Sequence, residues 1–252
     1  MISKAKLKLI HSLERRKNRH EASLFVAEGP RLLDELLPAM QPVYVAALPA
    51  WLEAHRHCLA PTVEIDAVTP DELRRASLMQ APQQVVALFP LPHPVWDDRL
   101  AQENLCLALD GVQDPGNMGT ICRVADWFGI TDILCSPDTV DVFNPKAVQA
   151  TMGAMARVRV HYADLPSLLT RLRVPVFGTF LDGNDIYTQP LADHGIIVMG
   201  NEGNGISPEV GSLVTHRLFV PNFPRERTTT ESLNVAVATS IVCAEFRRRQ
   251  LQ

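Results

Sequence analysis

The chain has 252 residues, 46% of them hydrophobic and 21% charged, which is enough for two domains of ordinary size and is the balance of a globular protein. That composition excludes intrinsic disorder, a collagen-like fibre and a disulfide scaffold. The formal charge of −4 argues by itself against a nucleic-acid partner, but the charge is unevenly placed.

Residues 1–20 hold seven Lys or Arg (Lys4, Lys6, Lys8, Arg15, Arg16, Lys17, Arg19) against the single acid Glu14. This stretch carries +6 and the remainder −10, the pattern of a basic arm on an acidic body. It lacks an apolar core of signal-peptide length, and no run of about 18 apolar residues occurs further on, so neither a targeting signal nor a membrane span is expected. Short β-branched runs then alternate with amphipathic segments, which predicts an α/β protein with a largely parallel sheet. The expected strands are 24–27, 43–48, 63–68, 85–89, 105–109, 132–136, 176–179, 196–199 and 218–220. Thr69, Pro70 and Glu72 predict a helix over 69–78, with Thr69 as cap, Pro70 in the first turn and Glu72 closing a capping box. Pro90, Pro92 and Pro94 forbid a helix interior and mark a domain boundary. The expected division is a first domain over 1–90 with the basic arm, a Pro-rich linker over 91–103, and a second domain over 104–252. The five cysteines, Cys58, Cys106, Cys122, Cys135 and Cys243, never form a C-x-x-C pair. They point to no zinc site and no disulfide framework, and fit a reducing, cytoplasmic setting.

Three segments of the second domain carry residues suited to chemistry. In the first, strand 105–109 runs through Asp110, Gly111, Gly116, Asn117 and Gly119 into a helix whose core face is Ile121, Val124, Ala125 and Phe128. A glycine-containing turn between strand and helix lets backbone approach a ligand, although a tight turn alone also explains it. Arg123 lies about 150° from that core face, where a solvated arginine is the ordinary reading. In the second, strand 196–199 enters Gly200, Asn201, Glu202, Gly203 and Gly205 in the order G-x-x-G-x-G, which is not the dinucleotide fingerprint. Glu202 stands at the carboxyl end of its strand, where open α/β sheets bind ligands; an exposed loop acid is the alternative. In the third, Val220 and Pro221 precede Ser232, Leu233 and Asn234 and a helix over 231–246 that is apolar on nearly every side. Such a helix is buried or lies in a subunit interface, and Asn234 within it needs a polar partner.

Taken in order, Asn117-x-Gly119-x-x-x-Arg123, Gly200-Asn201-Glu202-Gly203-x-Gly205, and Val220-Pro221 followed by Ser232-Leu233-Asn234-Val235 resemble the three motifs of the SpoU family of RNA ribose 2′-O-methyltransferases, within the SPOUT superfamily. The likeness spans about 104 to 247, and 25–29 with the following helix resembles the family's small amino-terminal substrate-binding domain. The resemblance implies a trefoil-knotted parallel sheet, S-adenosylmethionine as cofactor, RNA as partner and a homodimer. It carries cofactor contacts to Thr179, Gly200, Val220 and Leu233, and catalytic positions to Asn117, Arg123, Glu202, Ser232 and Asn234. The arm residues Arg15, Arg16, Lys17 and Arg19 become the expected RNA contacts. The segment 222–230 is longer than the common form, and Val124 and Ala236 replace polar residues; these departures bear on the target nucleotide more than on the reaction.

Methyl transfer to a ribose hydroxyl needs alignment and loss of a proton, and no metal. The resemblance implies that Arg123 is the base, assisted by an RNA phosphate. Because an arginine is a poor general base, the preferred expectation is that Arg123 holds phosphate or ribose with proton loss coupled to methyl transfer, and the sequence does not choose between the two. Glu202 is expected to organise Asn117 and offset the positive sulfonium. Ribosomal rather than transfer RNA is the expected substrate, because a separate amino-terminal domain suits a large folded target. A catalytically silent RNA-binding relative is the second reading. A nucleotide-binding oxidoreductase is a distant third, since its glycine fingerprint is absent.

Overall fold

A computed structural model describes residues 1–225, 227, 230 and 232–251. Apolar residues follow one another without alternation in most strands, and the reason is that both faces of each sheet are covered. The chain divides into two units, 1–93 with 141–157, and 94–140 with 158–252.

The first unit begins with α1 (Lys4–Ser12), capped by Ser3, and α2 (Arg16–Ala22). It continues through β1 (Leu24–Glu28), α3 (Pro30–Leu36), β2 (Tyr44–Ala47), α4 (Pro49–His55), β3 (Glu64–Ala67), α5 (Pro70–Ala76) and β4 (Val85–Pro90). The sheet order is β1-β4-β2-β3. β4 runs antiparallel to both neighbours and only β2 and β3 are parallel, so this sheet is mixed rather than largely parallel. Phe25, Val45, Val85 and Phe89 face Leu33, Leu36 and Trp51 on one side, whereas Val26, Tyr44, Val86 and Leu88 face Ile10, Leu13 and Leu73 on the other. The capping box of Thr69 and Glu72 is present at α5.

The second unit contains α6 (Arg99–Glu103), β5 (Leu105–Asp110), α7 (Pro115–Trp127), β6 (Asp132–Cys135), β7 (Arg159–Tyr162), α9 (Leu165–Leu172), β8 (Val176–Asp185), β9 (Gly195–Gly200), α10 (Pro208–Gly211), β10 (His216–Phe219) and α11 (Val235–Gln250). The intervening α8 (Pro145–Thr151) belongs to the first unit. The six strands are all parallel, in the order β10-β8-β9-β5-β6-β7. One face of the sheet, with Cys106, Ala108, Ile196 and Val198, is covered by Leu165, Leu168, Leu169 and Leu172 of α9. α7 and α11 lie against each other, α7 also touching β6 and α11 touching β9. Phe177 of β8 meets Phe246 of α11 edge to face at 4.9 Å.

Three expectations change. The strand β7 was not anticipated, because Arg-Val-His-Tyr is an edge strand with polar residues at alternate positions. The expected second domain loses 141–157 to the first unit, where Val148 and Met155 join the core around Leu33 and Trp51. The expected linker is only partly one: β4 reaches Pro90, and α6 places Ala101 in the core of the second unit. Among the described residues no helix is long and apolar enough to cross a membrane.

Candidate active site

Because the six strands are parallel, their carboxyl ends share one edge, and the sheet order sets β10, β8, β9 and β5 side by side there. Each of the three sequence motifs leaves from that edge. β5 ends in Asp110, whose carboxylate accepts from the Ser207 amide at 2.7 Å at the start of α10. Gly111 follows with φ +71, a left-handed turn that favours glycine. Its N–H donates to Ser136 Oγ at 2.9 Å and its carbonyl accepts from Asn201 Nδ2 at 2.6 Å. Asp114 caps α7 by accepting the Asn117 amide at 2.8 Å, and Pro115 takes the first turn, where its missing donor costs nothing.

The second motif closes on itself. Asn201 and Gly205 exchange backbone hydrogen bonds of 2.9 and 3.0 Å, and Asn201 Oδ1 accepts from the amides of Gly203 and Asn204. A Cβ on Gly200 would come within 2.2 Å of the Gly205 carbonyl carbon, so only glycine allows this turn. The fold of the loop projects Glu202 toward the first motif. Its carboxylate accepts from Asn117 Nδ2 at 2.9 Å and, at 3.4 Å each, from the amides of Gln113 and Asp114.

The third motif is differently built from its expectation. The helix starts at Val235, not at 231, and Asn234 is its cap rather than an interior residue: Asn234 Oδ1 accepts from Ala236 at 2.9 Å and Val237 at 3.3 Å. The other half of that amide, Nδ2, donates to Asn117 Oδ1 at 2.9 Å. One relay therefore joins all three motifs, from the first turn of α11 through Asn234 and Asn117 to Glu202. Its polarity is fixed at both ends, since helix N–H groups only donate and a carboxylate only accepts.

Arg123 and Ser232 stand outside the relay. Arg123 is exposed on α7, about 9 Å along the axis from Asn117 and about 120° around it, and has no hydrogen-bonding or ionic partner among the described residues. Ser232 is exposed, its carbonyl accepting from Thr230 Oγ1. The positions expected to hold the cofactor lie at the same edge. Thr179 is the first residue beyond the pairing of β8 with β9, with its hydroxyl on Met199 Sδ at 3.9 Å; Gly200 ends β9; Val220 follows β10; Leu233 precedes α11. Leu233 is 48% exposed and Val220 half-buried, so apolar surface lies open beside the loop amides. A nucleoside, with one flat apolar ring and polar edges, fits that combination. α7 is also held at its far end, where Arg247 of α11 donates to the carbonyls of Phe128 and Gly129 at 2.7 and 3.1 Å. Burial pushes the thiols of Cys106, Cys122 and Cys243 up to about 12, so none serves as a nucleophile.

The basic segment is not a free arm but two helices. Arg15, Arg16 and Lys17 are exposed, Lys17 pairing with Glu21 at 3.7 Å. Arg19 corrects its expectation. It is 1% exposed, its Nε and Nη2 donate to Asp141 Oδ2 at 3.0 and 2.5 Å, and its Nη1 donates to the carbonyls of Leu13 and Glu14. With these donors used inside the first unit, Arg19 is a structural cation. Sequence reasoning did not single out Asp110, Asp114 or Asn201. Asp114 was legible as a cap before Pro115, whereas the cross-loop bonds of Asp110 and Asn201 have no local signal.

Known proteins resemble the chain along both units. The MRM3-like substrate binding domain matches residues 4–87. The 23S rRNA (guanosine(2553)-2′-O)-methyltransferase RlmP of Bacillus subtilis is 29% identical over 252 residues, covering 96% of each chain. A TrmH-family structure from Porphyromonas gingivalis superposes with a TM-score of 0.87 at 41% identity, covering 99% of both chains. An AdoMet-bound rRNA methyltransferase from Sinorhizobium meliloti gives 0.88 at 28% identity, covering 100% of this chain and 97% of that one. The SpoU rRNA Methylase family matches residues 104–244. Since that match takes in every strand and loop from which the relay is made, the chain belongs to the SpoU rRNA methylase family.

Proposed function

We propose that this protein transfers a methyl group from S-adenosylmethionine to a ribose 2′-hydroxyl of RNA, ribosomal rather than transfer RNA. The observation that carries the reading is the relay from Asn234 through Asn117 to Glu202 at the carboxyl edge of the parallel sheet. The methyltransferase names of the relatives support the reaction and the ribosomal substrate. Thr179, Gly200, Val220 and Leu233 would hold the cofactor by backbone and apolar contact. Bound there, it supplies a methyl group on a positively charged sulfur.

The remaining chemistry belongs to the chain. Glu202 fixes the first-motif loop through two amides and one side chain, and its carboxylate offsets positive charge nearby. Asn117 and Asn234 set the distance between α7 and α11. Arg123, with its donors unspent, holds a phosphate or ribose oxygen and stabilises the oxygen as the hydroxyl gives its proton to water; a permanently charged guanidinium does not take that proton itself. Ser232 offers a further hydroxyl at the mouth of the site. Arg15, Arg16 and Lys17 supply phosphate contacts. We also place in this reading a homodimer and the threading of the carboxyl-terminal segment as a trefoil knot. The return of α11 from the edge strand β10 to the middle of the sheet supports the latter.

The test is incubation of purified protein with labelled S-adenosylmethionine and unmodified ribosomal RNA, followed by mapping of 2′-O-methyl positions. Methylation at discrete riboses, without added metal, is the expected result. RNA binding without methyl incorporation would favour the silent relative, and activity lost to a chelator and restored by metal would refute the mechanism.

A further inference from the structure

Between the two halves of the third motif, after Pro221, the chain makes a closed turn. Asn222 Nδ2 donates to the Arg227 carbonyl at 2.9 Å, and the Arg227 amide donates to the Pro224 carbonyl at 3.0 Å. Arg225 is tied down by an ion pair with Asp185, whose other oxygen accepts the Tyr187 amide at 2.9 Å. The turn is thus braced from inside and from β8, yet its aromatic residue is left out: Phe223 is 91% exposed. Exposing a whole phenyl ring forgoes the free energy of its burial, and nothing in the bracing of the turn requires the ring to be there. Arg227, exposed at the end of the same turn, has no side-chain partner among the described residues.

The place of this ring is bounded by the chain itself. Phe223 lies three positions after Val220, so its Cα is no more than about 11 Å from that proposed cofactor position. Arg227, exposed four positions on, keeps its guanidinium uncommitted among the described residues, whereas that of Arg225 is engaged by Asp185. An exposed aromatic ring close in the chain to an uncommitted guanidinium is a combination by which proteins hold unpaired nucleic-acid bases, the ring stacking on the base and the guanidinium meeting the phosphate. Resting on the reading of the site as an RNA 2′-O-methyltransferase, we infer that Phe223 is the stacking platform for an unpaired RNA base beside the target ribose, with Arg227 on the adjoining phosphate. Phe223 and Arg227 are then substrate-selecting residues, which require a single-stranded base next to the modified nucleotide.

The experiment compares the wild type with Phe223→Ala, Phe223→Leu, Phe223→Trp and Arg227→Gln in methylation of an unmodified 23S ribosomal RNA transcript, with cofactor affinity by calorimetry and mass by light scattering. Phe223→Ala and Phe223→Leu are expected to raise KM for RNA by roughly 5- to 150-fold, the range for loss of one stacked base, with cofactor affinity unchanged. Phe223→Trp retains the wild-type KM within about threefold, since indole also stacks. Arg227→Gln lowers the slope of log affinity against log salt by about 0.7 to 0.9. The inference is overturned if the wild type methylates and Phe223→Ala matches its KM, or if leucine restores what alanine loses, which would make the ring mere apolar cover. It is equally overturned if Phe223→Ala yields a smaller assembly, placing the ring under a second copy, or weakens the cofactor alone. A wild type that methylates no RNA removes the functional reading and this inference with it, a result distinct from the others.

Discussion

Arg19 on α2 and Arg123 on α7 look alike in the sequence, each a cation on a short helical stretch with a functional role expected of it. In the folded chain they are opposites. Arg19 spends its donors on Asp141 and two carbonyls inside the first unit, at 1% exposure, while Arg123 stands in solvent with its donors unspent. A guanidinium whose hydrogen bonds are complete has nothing left to offer a ligand; one that is held on a rigid helix and left unsatisfied is prepared for an anion. The distinction separates a residue that holds the fold from one that is free to meet a ligand.

The contrast can be broken most severely at Arg19. Arg19→Ala should destabilise the protein by about 3–5 kcal/mol, because it strands the buried Asp141 carboxylate. Urea unfolding checks this, and replacing both partners with leucine should recover much of the loss. Arg123→Ala should leave the unfolding midpoint and cofactor affinity unchanged while lowering turnover at least about 100-fold. If Arg123→Ala unfolds the protein, or Arg19→Ala leaves stability intact, the assignment of roles is reversed.

The relay gives a sharper division. Asn234→Ala removes the α11 cap, for about 1 kcal/mol, together with the bond to Asn117. Asn234→Asp keeps the cap, since aspartate accepts from helix N–H groups equally well, but cannot donate to Asn117 Oδ1. Turnover that falls in the Asp variant at unchanged stability would separate the positioning role from the capping one; equal turnover in Asp and wild type would dissolve the relay as a functional unit.

Two smaller effects complete the set. Bonding to Arg248, opposed by burial and helped by Arg249, holds the Glu245 carboxyl down to about 2 from an ordinary 4.5. The folded value lies below the unfolded one, so this stabilisation is complete above about pH 4.5 and is lost as the pH falls toward about 2. Glu245→Gln should flatten that part of the acid-unfolding curve and leave neutral pH little changed in slope. Changing Arg15, Arg16 and Lys17 to Gln should reduce the salt slope of RNA binding by up to about 2 to 3, and adding Arg19→Gln should not reduce it further.

The strand and helix pattern was largely legible because most strands are apolar runs bounded by turns, and the capping box at Thr69 follows from three residues. What escaped was whatever depends on distant residues. The charge count over 1–20 cannot register Asp141, which meets Arg19 from 122 residues away. The bonds of Asn117 to Glu202 and to Asn234 span 85 and 117 residues, so only the resemblance of the motifs, not any local pattern, brought those three residues together. The start of α11 was misplaced because Leu233 continues the apolar run, although Asn234 before Val235 is a good cap by residue type. β7 was missed for the opposite reason, being too polar to stand out.

Two of the contacts on α7, Asn234 at its first turn and Arg247 at its last, both come from α11. During synthesis every strand of the parallel sheet emerges before either contact exists. A chain stopped at β10 already contains its arginine, its glutamate and its glycine turns, but it lacks the brace that sets them at working distance. The bracing of α7 from this side therefore waits on α11, and a product shortened before it keeps Asn117, Arg123 and Glu202 without that brace.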